Sequence, residues 1–162
     1  MVIDIEAELQ EKRETTLRDL PLDEALALIR MHVEQDGWGQ LSIDVTSPDA
    51  TTRGAAIITL ERSALAEASG ASALPRCQLI AGVVRAMLGH VSQRVLTVRE
   101  TRCAAQGAPR CEMFAVAHAR RGELDRVLAA RGGGAEIREV LAAMSGAGGS
   151  VVRAGDALAR LF

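Results

Sequence analysis

The sequence has no tyrosine and very few aromatics of any kind: Trp38, Phe114 and Phe162. Any buried cavity must therefore be lined mostly by Leu, Ile, Val, Ala and Met. No apolar run approaches the roughly 18 residues of a membrane span. Charge is not biased either: 19 Lys and Arg stand against 21 Asp and Glu, mixed along the chain, for a net charge of −2. No basic stripe points to nucleic acid. The N-terminus, "MVIDIEAELQEKR", lacks the basic-then-apolar pattern of a signal peptide. Cysteine is scarce as well. There are three, an odd number that does not suit a disulfide framework, and in a reducing cytosol thiols stay free or bind metal. The expectation is a cytoplasmic protein with neither membrane nor nucleic acid as partner.

What is present is an ordinary globular composition, with 48% hydrophobic and 25% charged residues in a chain of 162, enough for one core with flanking helices. Residues 3–19 read as a short strand or an exposed helix. "PLDEALALIRMHVEQDG" reads as a helix: Leu22, Leu26, Ile29 and Val33 recur at helical spacing, Pro21 suits the start and Gly37 the end. "QLSIDVTS" alternates as a half-buried strand, and "PDATTRG" joins it to a second strand, "AAIITLE". "ERSALAEASGASA" suggests a short helix and loop. "LPRCQLIAGVVRAMLGH" is a buried helix opened by Pro75 and closed by Gly89, with His90 on the last carbonyls. "QRVLTVRE" and "CEMFAVAHA" are the third and fourth strands, with His118 exposed at the end. "GELDRVLAAR" and "AEIREVLAAMS" follow as helices around a glycine linker, and "VVRAGDALARLF" as an amphipathic tail.

Consecutive strands with short connections imply antiparallel pairing. The expected fold is α+β, a four-stranded antiparallel sheet with helices packed mainly on one face. The expected organisation is an N-terminal extension over 1–20, a central domain over 21–120 and C-terminal helices over 121–162.

The chemistry concentrates in "RETRCAAQGAPRCEM" and in Cys77 upstream. In the third strand Leu96, Val98 and Glu100 share a face, so if the first two meet the core Glu100 does too. A lone buried carboxylate is costly unless paired or ligated. Arg99 points to the other face and cannot serve it. Gly107 and Pro109 let the loop between Cys103 and Cys111 fold back, and Cys77 sits at a helix start that favours a thiolate. Three thiolates and a carboxylate make the closed tetrahedral shell of a structural zinc, with no open position for catalysis. The alternative is that the cysteines are small buried apolar residues and Glu100 a surface acid; no CxxC pair decides between them.

The spacing C-x22-E-x2-C-x7-C, formed by Cys77, Glu100, Cys103 and Cys111, resembles the zinc signature of the 4-vinyl reductase domain family. The helix "CQLIAGVVRAMLG", the ending "VRETRCAAQGAPRCEMF" and the upstream "LDEALALIRMHVEQDGWGQLSIDV" resemble it too, so the likeness spans about residues 20–118. It implies an α+β fold related to subunits of a vesicle-tethering transport particle, and a structural Zn2+ on those four residues. It also implies a small hydrophobic ligand held near the metal and a homodimer. Members include sensor domains of phenol- and xylene-responsive activators and proteins of bacteriochlorophyll synthesis. Met113 departs from the family, which often has an aromatic there. No ATPase or DNA-binding module accompanies the domain in these residues, so it is expected to act alone or through a protein partner.

No Ser/His/Asp or Cys/His spacing, dinucleotide fingerprint or flavin site supports an enzyme. "RGGGAE" lacks the Lys-Ser/Thr end of a phosphate loop. The leading expectation is a zinc-stabilised domain that binds a small hydrophobic ligand and signals or delivers it, with His32, Trp38, Met31, Met87 and Phe114 lining the site. The alternatives are a dimeric adaptor without ligand and a tetrapyrrole-handling accessory protein. A ligand binder should have an enclosed cavity, an adaptor a filled core and an exposed apolar patch.

Overall fold

A computed structural model describes residues 2–13, 15–45, 55–131 and 134–144 of the chain. Among them lie helices α1 (Val2–Arg13), α2 (Leu22–Gln35), α3 (Ala64–Ser69), α4 (Gln78–Ser92), α5 (Arg121–Arg131) and α6 (Ile137–Ala143). The strands are β1 (Gln40–Asp44), β2 (Ala55–Glu61), β3 (Leu96–Arg102) and β4 (Cys111–Ala117), with short 3-10 turns at Ala104–Gln106 and His118–Arg120. The strands form one antiparallel sheet in the order β1-β2-β4-β3, and the fold is α+β as expected. The "PDATTRG" turn and the "VVRAGDALARLF" tail lie outside the described residues.

Period-two alternation sorts the sheet into two faces. Along β4, Cys111, Met113 and Ala115 join the larger core, while Phe114 and Val116 join a smaller one behind the sheet. The larger core is capped by α1, α2, α3 and α4. From α2 it takes Ala25, Leu26, Ile29 and Val33, and from α4 Ile80, Ala81, Val84, Met87 and Leu88. Ile58, Leu60, Ile80, Met87 and Met113 are fully buried there, each contributing roughly 1.5–3 kcal/mol. The smaller core is made by Leu124 of α5 and Val140 and Leu141 of α6 against Ala55, Phe114 and Val116. An Arg99–Asp125 ion pair ties β3 to α5 on that side.

Three local readings are refined. The N-terminal segment is a helix with one buried edge, Ile5 and Leu9. Its Glu6 meets His90 and accepts the Leu17 N–H, and its Glu8 lies 3.5 Å from His32. α4 starts at Gln78, three residues after Pro75, so Cys77 is its N-cap rather than part of its first turn. Nor does α4 stop at Gly89. It runs to Ser92 and ends on Gln93 in the left-handed region (φ 56°), which places His90 against Glu6 of α1 instead of on terminal carbonyls. Gly89 serves a close approach: a Cβ there would sit 3.1 Å from the Arg94 carbonyl oxygen. His118 is half-buried, with Nδ1 3.1 Å from Thr97 Oγ1.

Candidate metal centre

The sequence brings four ligands to one point by four different routes. Cys77 arrives from the N-cap of α4. Its carbonyl accepts the Ala81 N–H and its own N–H donates to Glu100 Oε2 at 3.1 Å. Glu100 comes from β3 on the side of Leu96 and Val98. Cys103 poses a geometric problem, because in a regular strand a residue three places after Glu100 would face the opposite way. A β-bulge solves it. Glu100 pairs with Met113 and Arg102 with Glu112, which leaves Thr101 as the extra residue. Arg102 is thereby turned to the far side, where its Nη1 meets Glu136 at 3.3 Å, and Cys103 returns to the face of Glu100. The turn Ala104–Gln106, closed by Gly107 at φ +88°, then reverses the chain so that Cys111 opens β4 beside it.

The result is one cluster. A thiol sulfur from each of Cys77, Cys103 and Cys111 and a Glu100 carboxylate oxygen all lie within 4.8 Å of one another. The Sγ separations are 4.0 Å for Cys77–Cys103, 3.9 Å for Cys103–Cys111 and 3.1 Å for Cys77–Cys111. Bonds of ~2.3 Å in a tetrahedron put sulfurs ~3.8 Å apart, so two of the three spacings already suit a metal and the third needs a small opening. The three cysteines are free thiols with no exposed surface.

Electrostatics mark the cluster as incomplete without a cation. Glu100 Oε1 is buried and has no hydrogen-bond partner, an arrangement that ordinarily costs free energy. Burial pushes the Glu100 carboxyl up, partly offset by the neighbouring Cys103 thiol and the Cys77 N–H. Burial also raises Cys103. Cys77 and Cys111 share what ionisation remains. The hydrogen bond to Cys111, with burial, keeps the proton on Cys77, and that same bond lowers Cys111 to about 6. A divalent cation would replace the shared protons, give Oε1 its partner and offset the crowded negative charge. The donor set therefore fits a metal ion, and the four residues are those expected from their spacing.

The expected ligand-lining residues are not gathered in the same way. Met87 is fully buried under α4 on the metal side of the sheet. Trp38 is half-buried against the same core, held between Gly37 (φ +75°) and Gly39 (φ +128°), where a Cβ would lie 2.7 Å from the Glu61 carbonyl oxygen. His32 is engaged through Nδ1 with the Leu28 carbonyl at 3.0 Å. Met31 is 39% exposed. Phe114 is fully buried in the smaller core and the sheet separates it from Met87. A groove of about 730 Å³ lies on that far side, lined by Ile57, Glu112, Ile137 and Leu141 with arginines at its rim, and none of the five expected residues borders it.

One contributor escaped the sequence reading. Ser63, buried at 1% exposure, caps α3 and places its Oγ 3.0 Å from Cys77 Sγ. The signal was in "RSALAE", a serine directly before a helical run.

Comparison with known proteins agrees with this geometry. No curated protein matches the chain. Among solved structures, the fold matches the phenol-responsive sensory domain of the transcription activator PoxR, determined with phenol, at TM-score 0.54 and 18% identity. That match covers 76% of this chain and 63% of that one, so the chain spans less than two thirds of the sensory domain's solved length. A vinyl-4-reductase family protein from Methanocaldococcus jannaschii matches at TM-score 0.48 and 17% identity, covering 71% of this chain and 75% of that one. The family model of the 4-vinyl reductase domain matches residues 56–117, from β2 through the whole of β4 and including all four clustered ligands. The chain thus carries a 4-vinyl reductase domain, and the family it belongs to is the one its cysteine–glutamate spacing resembles.

Proposed function

We propose that this protein is a cytoplasmic, zinc-stabilised domain that binds a small hydrophobic molecule and signals or delivers it. The observation that carries the reading is the convergence of Cys77, Glu100, Cys103 and Cys111 in a fold shared with a phenol-responsive sensory domain. Zinc is the ion that the donor set favours, since three buried thiolates and one carboxylate suit a soft, tetrahedral, redox-silent site. Held there, it would join α4 to the β3–β4 hairpin and fix the edge of the helical layer.

Met31, His32, Trp38 and Met87 are the side chains proposed to meet the ligand on the helical side; Phe114, expected with them, stands behind the sheet. No reductase step is proposed. The chain is further proposed to pair with a second copy. Leu74 and Leu79, 65% and 56% exposed beside the metal centre, are apolar side chains that such pairing, or a protein partner, would cover.

Because Trp38 is the sole tryptophan, its fluorescence reports on this region. Titration of the zinc-loaded protein with phenol should give a saturable fluorescence change and a rise in melting temperature. A flat titration, together with native mass spectra free of any co-purified small molecule, would reject ligand binding. The same spectra report the mass of the oligomer.

A further inference from the structure

Each of the four clustered ligands receives one hydrogen bond from outside the cluster. The Cys77 N–H donates to Glu100 Oε2 at 3.1 Å, the Arg76 N–H to Cys103 Sγ at 3.3 Å and the Ala104 N–H to Cys111 Sγ at 3.3 Å. The remaining ligand, Cys77 Sγ, lies 3.0 Å from Ser63 Oγ. Three of these donors are backbone groups that side-chain substitution leaves in place. Ser63 is the one side chain among the four.

Its geometry fixes the direction of that bond. Ser63 Oγ already accepts the Ala66 N–H at 3.3 Å, the N-cap bond of α3. A metal-bound thiolate carries no proton, so the Ser63 hydroxyl must donate and Cys77 Sγ accept. Three thiolates and a carboxylate also bring more negative charge than a divalent ion cancels. In a buried site that surplus must be met by oriented donors, which are known to change metal affinity 10–100-fold.

We propose that Ser63 is a positioning residue of the metal centre: its hydroxyl donates to the Cys77 thiolate and couples metal binding to the start of α3. The coupling extends further along the same segment. The Ser72 N–H donates to the Ala105 carbonyl at 2.8 Å, Gln106 Nε2 to the Ala73 carbonyl at 3.0 Å, and Arg76 Nε to Ser72 Oγ at 2.9 Å. The stretch from Ser63 to Cys77 is therefore laced to the turn that carries Cys103, with the metal centre and Ser63 at its two ends. This inference rests on the metal reading given above.

A plain helix cap makes a different forecast, and three substitutions separate the two. Ser63→Ala removes both the cap and the donor. Ser63→Gly removes the donor but is nearly as good at an N-cap position as serine. Ser63→Thr keeps a hydroxyl. Each full-length protein is stripped of metal, checked for folding by circular dichroism and titrated with Co2+ against a competing chelator. The parent should show a thiolate-to-cobalt charge-transfer band. Ser63→Ala and Ser63→Gly should bind Co2+ about 10–100-fold more weakly, with that band moved to lower energy as the sulfur loses its hydrogen bond, and Ser63→Thr should restore both. Affinity within about twofold of the parent and an unmoved band in the Gly and Ala variants would overturn the proposal and leave Ser63 a cap only. If Ser63→Ala does not fold, Ser63→Gly against Ser63→Thr decides. A parent that shows no band at all would instead sink the metal reading itself.

Discussion

Replacing Glu100 with glutamine should have opposite consequences in the metal-free and metal-loaded protein. In the metal-free protein Oε1 is buried without a partner while Oε2 accepts the Cys77 N–H. An unpartnered buried group costs roughly 1–3 kcal/mol. Glutamine keeps an acceptor for the Cys77 N–H, removes the charge that burial opposes and offers an NH2 to the sulfurs. Metal-free Glu100→Gln should therefore be as stable as the parent or better by about 1 kcal/mol. In the zinc form one ligand of four is lost. If an apparent binding free energy of about 10–16 kcal/mol is shared evenly, the loss is about 3 kcal/mol, or roughly 100-fold in affinity. For a chain of this length each kcal/mol moves the midpoint by about 2–4 °C, so the zinc-loaded variant should melt about 6–12 °C lower. Paired melting curves in zinc and in chelator, with a competition measurement of affinity, read both effects. A variant destabilised equally in the two conditions, or one that binds zinc as tightly as the parent, would refute the reasoning and return Glu100 to the role of an ordinary half-buried acid.

Other outcomes follow from the same structure. Cys103→Ser should weaken zinc binding at least as much as Glu100→Gln and lower the zinc-loaded melting temperature by several degrees, read by metal analysis beside calorimetry. Metal affinity should fall as the pH is lowered. Burial raises Glu100 and Cys103 in the metal-free cluster, so more protons must be displaced at lower pH, and affinity titrations across about pH 5–8 should slope upward with pH. Asp125 is held below the usual carboxylate range, first by its hydrogen bond from Arg99 and then by Arg121. A depressed carboxyl contributes stability above its unfolded pKa and loses it as pH falls through the folded value. Both partners are partly exposed, so Asp125→Asn should cost less than about 1 kcal/mol at neutral pH, with the difference vanishing in acid denaturation below the carboxylate range. Phe114→Ala should cost about 3–5 kcal/mol in urea unfolding, because the ring has no exposed surface and holds α5 and α6 to the sheet.

Much of this architecture was legible in short-range patterns. Leu41, Ile43 and Val45 alternate as strand residues should, and all three are buried. The spacing of Leu26, Ile29 and Val33 placed α2 correctly, and Gly37 followed its end. Alternation also put Glu100 on the side of Leu96 and Val98. What local pattern could not convey was how Cys103 reaches the same side. That depends on the bulge at Thr101, a property of the pairing with β4 rather than of β3 alone. The limits of α4 were misjudged for a related reason. Gly89 looks like a terminator, but its small size is used for the approach of the Arg94 backbone, and the left-handed residue is Gln93. Phe114 illustrates a third kind of limit. In β4 every residue from Cys111 to Val116 is buried, because helices cover both faces of that strand, so hydrophobicity does not say which side a residue serves. Ser63 was overlooked because its sulfur partner lies 14 residues away, beyond the reach of any local motif.

The account stands on one cation held by Cys77, Glu100, Cys103 and Cys111. Zinc K-edge X-ray absorption of protein purified without chelator examines that most directly. The expected spectrum shows one zinc per chain with three sulfur neighbours near ~2.3 Å and one oxygen near ~2.0–2.2 Å. Protein without zinc, or a zinc shell of nitrogen and oxygen alone, would contradict it.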